Sequence, residues 1–166
     1  MTDVDPRAAL IARIERERVF WQALVEEVGV DRMEEPGPMG DWTFKDLAAH
    51  LLGWRERTIG RLEAAGAGRE PPPSAWPPEL DEDDPINAWI QERSRARSVQ
   101  EVLADVDRSY ERLARAIAAL PDDIITRTDA LPWLRGESLA AQEANLFSHV
   151  HDEHLPSVRA WLATRA

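Results

Sequence analysis

The chain reads as all-α, a four-helix bundle with one long crossover connection. Three observations carry that expectation. Apolar residues recur three and four positions apart in four separate stretches, the period of a helix with one buried face. No stretch alternates apolar and polar residues as a half-buried strand would. The stretches are also bounded by helix-start chemistry on one side and by proline or glycine on the other. With 166 residues, the whole of 1–166 is expected to form one domain with a real core.

Asp5-Pro6 supplies an N-cap followed by proline at the first helical position. The first stripe then runs through Leu10, Ile14, Trp21, Leu24, Val25 and Val28 to Gly29, with Glu17 inside it. Residues 35–40 read as a loop from their prolines and glycines. Thr43, with Asp46 three residues on, opens the second helix, whose inner face is Leu47, Leu51, Trp54, Thr58 and Leu62, ending near Gly66. Residues 67–85 hold two proline runs and an acidic run, an irregular crossover that Trp76 and Leu80 can pin to the body; a structural role is preferred over a lid. A short helix is expected from Ile86 to about Arg95. Ser98 and Glu101 then form a capping box for the cleanest stripe, Val99, Val102, Leu103, Val106, Tyr110, Leu113 and Ile117, which Pro121 stops. Residues 122–137 form a second connection with a turn near Pro132-Trp133. A last helix is expected over 138–163, with Pro156 on its outer side, where it can bend the helix without blocking the core face.

Composition excludes several functions. The formal net charge of −11 and a pI near 4.8 argue against nucleic-acid binding, which needs a basic face. There is no cysteine, hence no disulfide, thiolate nucleophile or zinc-thiolate site. No apolar run approaches the roughly 18 residues of a membrane span, and the polar start, Met1 to Arg7, does not read as a signal peptide. A cytoplasmic protein is the resulting expectation. No serine-nucleophile motif, P-loop or dinucleotide fingerprint is present. Seven tryptophans suit a core built from large flat groups, or a pocket lined by them.

The chemistry-bearing residues are those that interrupt the apolar stripes. The last helix carries Phe147, His151, His154, Val158 and Trp161 at spacings of four, three, four and three. His50 lies on the inner side of the second helix beside Leu47, Leu51 and Trp54. Ionisable groups on a core face are costly unless paired, hydrogen-bonded or metal-bound. Three inward histidines can hold a divalent metal such as zinc or nickel, with a further position open to water or substrate. They can equally be hydrogen-bonded core residues with no chemistry. Glu17 and Glu143 are read as ion-pair or supporting groups, the first candidates to accept from a histidine in a metal-free cluster. His149 points away from the stripe and pairs with Glu153, four residues on, unless a kink in the helix lets it replace one of the proposed ligands. Trp54, Phe147 and Trp161, with Glu17 and Glu143, are expected to line the pocket.

The stretch Gly40-Asp41-Trp42-Thr43-Phe44-Lys45-Asp46-Leu47-Ala48-Ala49-His50-Leu51 resembles the beginning of the second helix in the DinB/YfiT-like superfamily. The segment from His149 to Pro156, followed by Arg159-Ala160-Trp161-Leu162, is similar to that superfamily's last helix, and most similar to its ClbS/DfsB branch. The resemblance implies a four-helix bundle, often dimeric, with a divalent metal held by one histidine of helix two and two ligands of helix four. His50 matches that pattern directly. The usual pair on the last helix is four residues apart, whereas His151 and His154 are three apart and Val150 occupies the position four before His154. Relatives include thiol-dependent isomerases and transferases acting on small electrophiles, and the colibactin-protection proteins, which hydrolyse an electrophilic ring. The resulting expectation is a metal-dependent enzyme or detoxifier with His50, His151 and His154 as ligands, acting on a small electrophile by hydrolysis or thiol-dependent transfer, as a homodimer. The competing readings are a metal-free small-ligand binding or sequestration protein and a structural dimer module.

Overall fold

The computed structural model describes residues 5–164. It is all-α apart from one small hairpin. Helix α1, Pro6–Val28, begins where the Asp5 side chain accepts the Arg7 N–H at 3.0 Å and Pro6 occupies the first turn. It ends at Gly29, whose φ of 76° suits a residue without Cβ. Helix α2, Phe44–Gly66, starts on a reciprocal capping box: Asp46 N–H donates to Thr43 Oγ1 at 3.1 Å, and Thr43 N–H donates to Asp46 Oδ2 at 3.0 Å. Helix α3, Asp83–Ser94, follows the crossover. Helix α4, Val99–Ala118, uses the same box with Ser98 and Glu101 and ends ahead of Pro121. A short α5, Asp122–Thr126, and a final α6, Leu155–Ala163, complete the helices.

Helix α4 is the centre of the bundle and packs against both α1 and α2. Val102, Val106, Leu113 and Ile117 on its clean stripe are buried, as are Leu10 and Ile14 of α1 and Ile59 and Leu62 of α2. Charged side chains tie the seams: Arg18 reaches Asp107 and Glu111 from α1 to α4, and Arg112 reaches Glu56 and Glu63 from α4 to α2. Helix α3 lies so close on α2 that a Cβ at Gly53 would stand 2.7 Å from Ile90 Cδ1. The irregular crossover ahead of α3 is pinned as expected, with Trp76 buried against Trp54 at a ring separation of 5.0 Å and Leu80 packed on the core. Among the described residues no helix is long and apolar enough to cross a membrane.

Three segments differ from the sequence reading, one of them the connection over 122–137, whose start is the short helix α5. Part of the loop after α1 pairs into an antiparallel hairpin, β1 (Pro36–Gly37) with β2 (Gly40–Thr43), too short for its alternation to be visible. The largest difference concerns the last helix, expected from residue 138. Residues 139–147 instead form tight turns, among them a 3₁₀ turn at Ala140–Gln142; only from Ser148 is the chain helical, and a π-helical turn, Val150–His154, leads into α6. Ser138 and Ser148 explain part of this. The Ser138 hydroxyl accepts the Ala141 N–H at 3.2 Å, and the Ser148 hydroxyl donates to the Asn145 carbonyl at 3.0 Å. Such local bonds compete with a regular helical ladder. At the other end Pro156 has no N–H for the carbonyl of Asp152, and the Leu155 N–H bonds back five residues to Val150. Pro156 itself is exposed, while Val158 and Trp161 are buried. Trp161 anchors α6: its ring lies under the Arg32 guanidinium at 4.1 Å and so near Gly37 that a Cβ there would stand 2.6 Å from it.

Candidate metal centre

His50 is delivered by the second turn of α2 and is 5% exposed. Both of its ring nitrogens are buried with no hydrogen-bond partner. Among the described residues the other buried side-chain nitrogens left without partners belong to Arg7, Arg13 and Arg32, each of which has another nitrogen engaged. His50 therefore has lone-pair and N–H capacity that the protein does not use, an arrangement that costs free energy unless something else satisfies it.

The π turn supplies its neighbours. His149 and His154 are five residues apart; on an α-helix they would diverge by about 140°. An i→i+5 turn brings such a pair to the same side, and here the two rings approach to 4.5 Å between centroids, with their Nε2 atoms 2.8 Å apart. Both face His50, with centroid separations of 5.8 Å for His149 and 5.2 Å for His154. One potential ligand atom from each of the three lies within 4.8 Å of the others. His154 Nδ1 sits 3.1 Å from the Met39 sulfur. With its proton there, Nε2 keeps its lone pair toward the cluster.

Electrostatics keep two of the three imidazoles, His50 and His154, unprotonated at neutral pH. Burial lowers His50 to about 4, with the proximity of His149 acting the same way and Asn87 and Asp83 opposing it. His154 is likewise lowered to about 4, by burial first and then by His149 and His50. Two imidazoles that stay unprotonated at neutral pH are the form in which histidine binds a metal. His149 is exposed, so the cluster has one side open to solvent.

That side opens into a cavity of about 350 Å³ lined by His50 and His149 together with Leu51, Trp54, Phe147 and Val150. This lies at the small end of ligand-binding pockets. The Trp54 indole N–H donates to Asn87 Oδ1 at 2.9 Å, which ties α3 to the cavity wall. Arg55 and Asp83 also reach the cavity.

The structure brings together two of the three histidines singled out from the sequence, His50 and His154. The third, His151, is turned onto α1: its Nε2–H donates to Glu17 Oε2 at 2.8 Å, and its ring packs on Phe20 at 4.9 Å. The widened turn re-aims residues 149–154, so His149 takes the place in the cluster that an ideal helix gives to His151. Trp54 and Phe147 line the cavity as expected, but three other pocket candidates lie elsewhere. Trp161 is held at Gly37 and Arg32, Glu17 is shared by Arg13 and His151, and Glu143 accepts from Arg16 at 3.3 Å. Arg55 escaped the sequence reading, although its place four residues after Leu51 and three before Thr58 puts it on the inner face of α2.

Three imidazoles, two of them buried and neutral and one with both nitrogens orphaned, fit a borderline divalent cation such as zinc or nickel. A family model described as mycothiol maleylpyruvate isomerase N-terminal domain matches residues 14–139. That span contains His50 and stops short of the turn carrying His149 and His154. The family is DinB-like and associated with metal-binding, mycothiol-related enzymes. No curated protein and no solved structure matches the chain.

Proposed function

The chain belongs to the mycothiol maleylpyruvate isomerase N-terminal domain family, and from that premise we propose that it is a metal-dependent enzyme transferring a small-molecule thiol to a small electrophile. The observation that carries the reading is the meeting of His50, His149 and His154 at the wall of one cavity, with both His50 nitrogens unused. These three side chains would hold the metal. A bound divalent cation supplies Lewis acidity, which lowers the pKa of a thiol or water and makes it a nucleophile near neutral pH. The chain has no cysteine, so the thiol comes from a cosubstrate. The apolar walls at Leu51, Trp54 and Phe147 exclude water from the electrophile, and the exposed side of His149 leaves the nucleophile a path from solvent. The likeness to the ClbS/DfsB branch supports water as the alternative nucleophile.

Metal analysis of the purified chain, followed by turnover of monochlorobimane with and without added thiols, tests the proposal. In that reaction the thiol sulfur bonds to the bimane methylene carbon, chloride leaves and the thiol proton passes to solvent. Equimolar bound metal is expected, with thiol-dependent turnover that a chelator abolishes and that His50→Ala and His149→Ala lack. A protein that neither retains nor takes up zinc or nickel overturns the metal reading. Metal-dependent chloride release that proceeds equally without thiol replaces transfer by hydrolysis.

A further inference from the structure

Arg55 lies five residues beyond His50 on α2, a rise of about 7.5 Å, and lines the same cavity. It is 7% exposed. Its Nη1 donates to Ser109 Oγ at 2.8 Å, and its guanidinium lies 3.9 Å over the Tyr110 ring and 5.7 Å from that of Phe147. Those partners are neutral: burial pushes the Tyr110 phenol up, so it stays protonated although Arg55 opposes the shift. Among the described residues no carboxylate comes within ion-pair distance of Arg55.

That isolation runs against the composition. The chain has 31 acidic residues for 20 lysines and arginines, and neighbouring arginines on the same seams have taken theirs. Arg18 engages Asp107 and Glu111, and Arg112 engages Glu56 and Glu63, in positions exposed enough for pairing to matter little. The buried guanidinium, for which a counter-charge matters most, has none. Stacking on Tyr110 and a hydroxyl bond soften the cost without supplying a negative charge.

We propose that this cavity binds a small molecule with a single carboxylate on an apolar, unsaturated body. The carboxylate lies on Arg55, the body lies against Trp54 and Phe147, and the far end faces His50 and His149. In the metal-free chain Arg55 is the one guanidinium or ammonium among the described residues lining the cavity, and Asp83 at the same cavity, within a chain of net charge −11, opposes a second negative charge on the ligand. The flat aromatic walls favour an unsaturated body, and about 350 Å³ accommodates it. The inference rests on the proposed function for the claim that the bound acid is a substrate, and not for the binding itself.

Calorimetric titration of the metal-free full chain with cinnamate and with its neutral isostere cinnamamide, at neutral pH and low salt, tests this. Cinnamate should bind tighter than the amide by about tenfold or more, the scale of a hydrogen bond to a charged group. Arg55→Met should erase that preference and Arg55→Lys should keep part of it. Because the chain titrated is metal-free, a failed metal site and a failed carboxylate site give separate results. Equal affinity for acid and amide, no binding of either, or displacement of cinnamate by equimolar inorganic phosphate overturns the proposal. If circular dichroism shows Arg55→Met unfolded, the acid-to-amide ratio of the unaltered chain and of Arg55→Lys decides.

Discussion

Two histidine sites flank the last segment of the chain, and they are built on opposite terms. On the α1 side, Glu17 is buried and both of its oxygens are engaged, Oε1 by Arg13 at 2.9 Å and Oε2 by His151 at 2.8 Å. On the α2 side, His50 is equally buried, no acid is bonded to it and neither of its nitrogens has a partner. The first arrangement neutralises its charges internally and needs nothing from outside. The second leaves donors and acceptors facing one another and keeps two imidazoles neutral, a state that gains from an added cation. A buried histidine is therefore informative less by its burial than by what the fold gives it to bond. On the proposed reading, the Glu17 site serves stability and the His50 site serves chemistry.

The strongest way to break that assignment is His50→Ala. It should abolish stoichiometric zinc or nickel binding, read by elemental analysis after dialysis, while the metal-free unfolding midpoint in urea moves little. Retained metal would remove His50 from the ligand set. The mirror experiment is Glu17→Ala, which leaves the half-buried Arg13 and His151 donors without their acceptor. A loss of about 2 kcal/mol in urea unfolding is expected, with metal affinity unchanged; a drop in metal content instead would join the two sites into one.

A smaller effect separates the sites by pH. His50 and His154 are held near 4 in the folded protein, below the ordinary 6.5. Below 6.5 the unfolded chain takes up protons that the folded chain refuses. The stability of the metal-free protein should thus be full above about 6.5 and fall as pH drops toward 4. His50→Ala should flatten that slope, and an unchanged slope would mean that the cluster is not the source. The subtlest test is Pro156→Ala, which restores an N–H for the Asp152 carbonyl and favours a regular α-turn. Zinc affinity should weaken by roughly tenfold, the range for groups that orient ligands, with circular dichroism little altered. Unchanged affinity would show that the turn holds its shape without the proline.

The sequence disclosed this molecule unevenly, and the reason is the range over which each feature is decided. Thr43 with Asp46 and Ser98 with Glu101 form caps within four residues, so the starts of α2 and α4 could be read directly. The stripe of α4 was legible because no charge interrupts it. The choice between His149 and His151 was not legible. It depends on whether residues 150–154 wind as an α or a π turn, which Pro156, local serine bonds and the pull of Glu17 on His151 settle together. An ideal helix makes His151 the core residue, and a kink is needed to admit His149. For Arg55, heptad counting gives the inward position, but the absence of a carboxylate around it is a fact of three dimensions.

The widened turn also bears on how such proteins can be recognised. A π turn is geometrically an α-helix carrying one extra residue, with the surplus taken up in a single local bulge. A His-x-x-x-x-His segment can thereby present its imidazoles as His-x-x-x-His does on a regular helix. Beyond the bulge the frame is restored: Val158 and Trp161 remain on the buried face. Searches that demand a fixed interval between ligands will pass over chains of this kind. Allowing one inserted residue ahead of a proline would recover them.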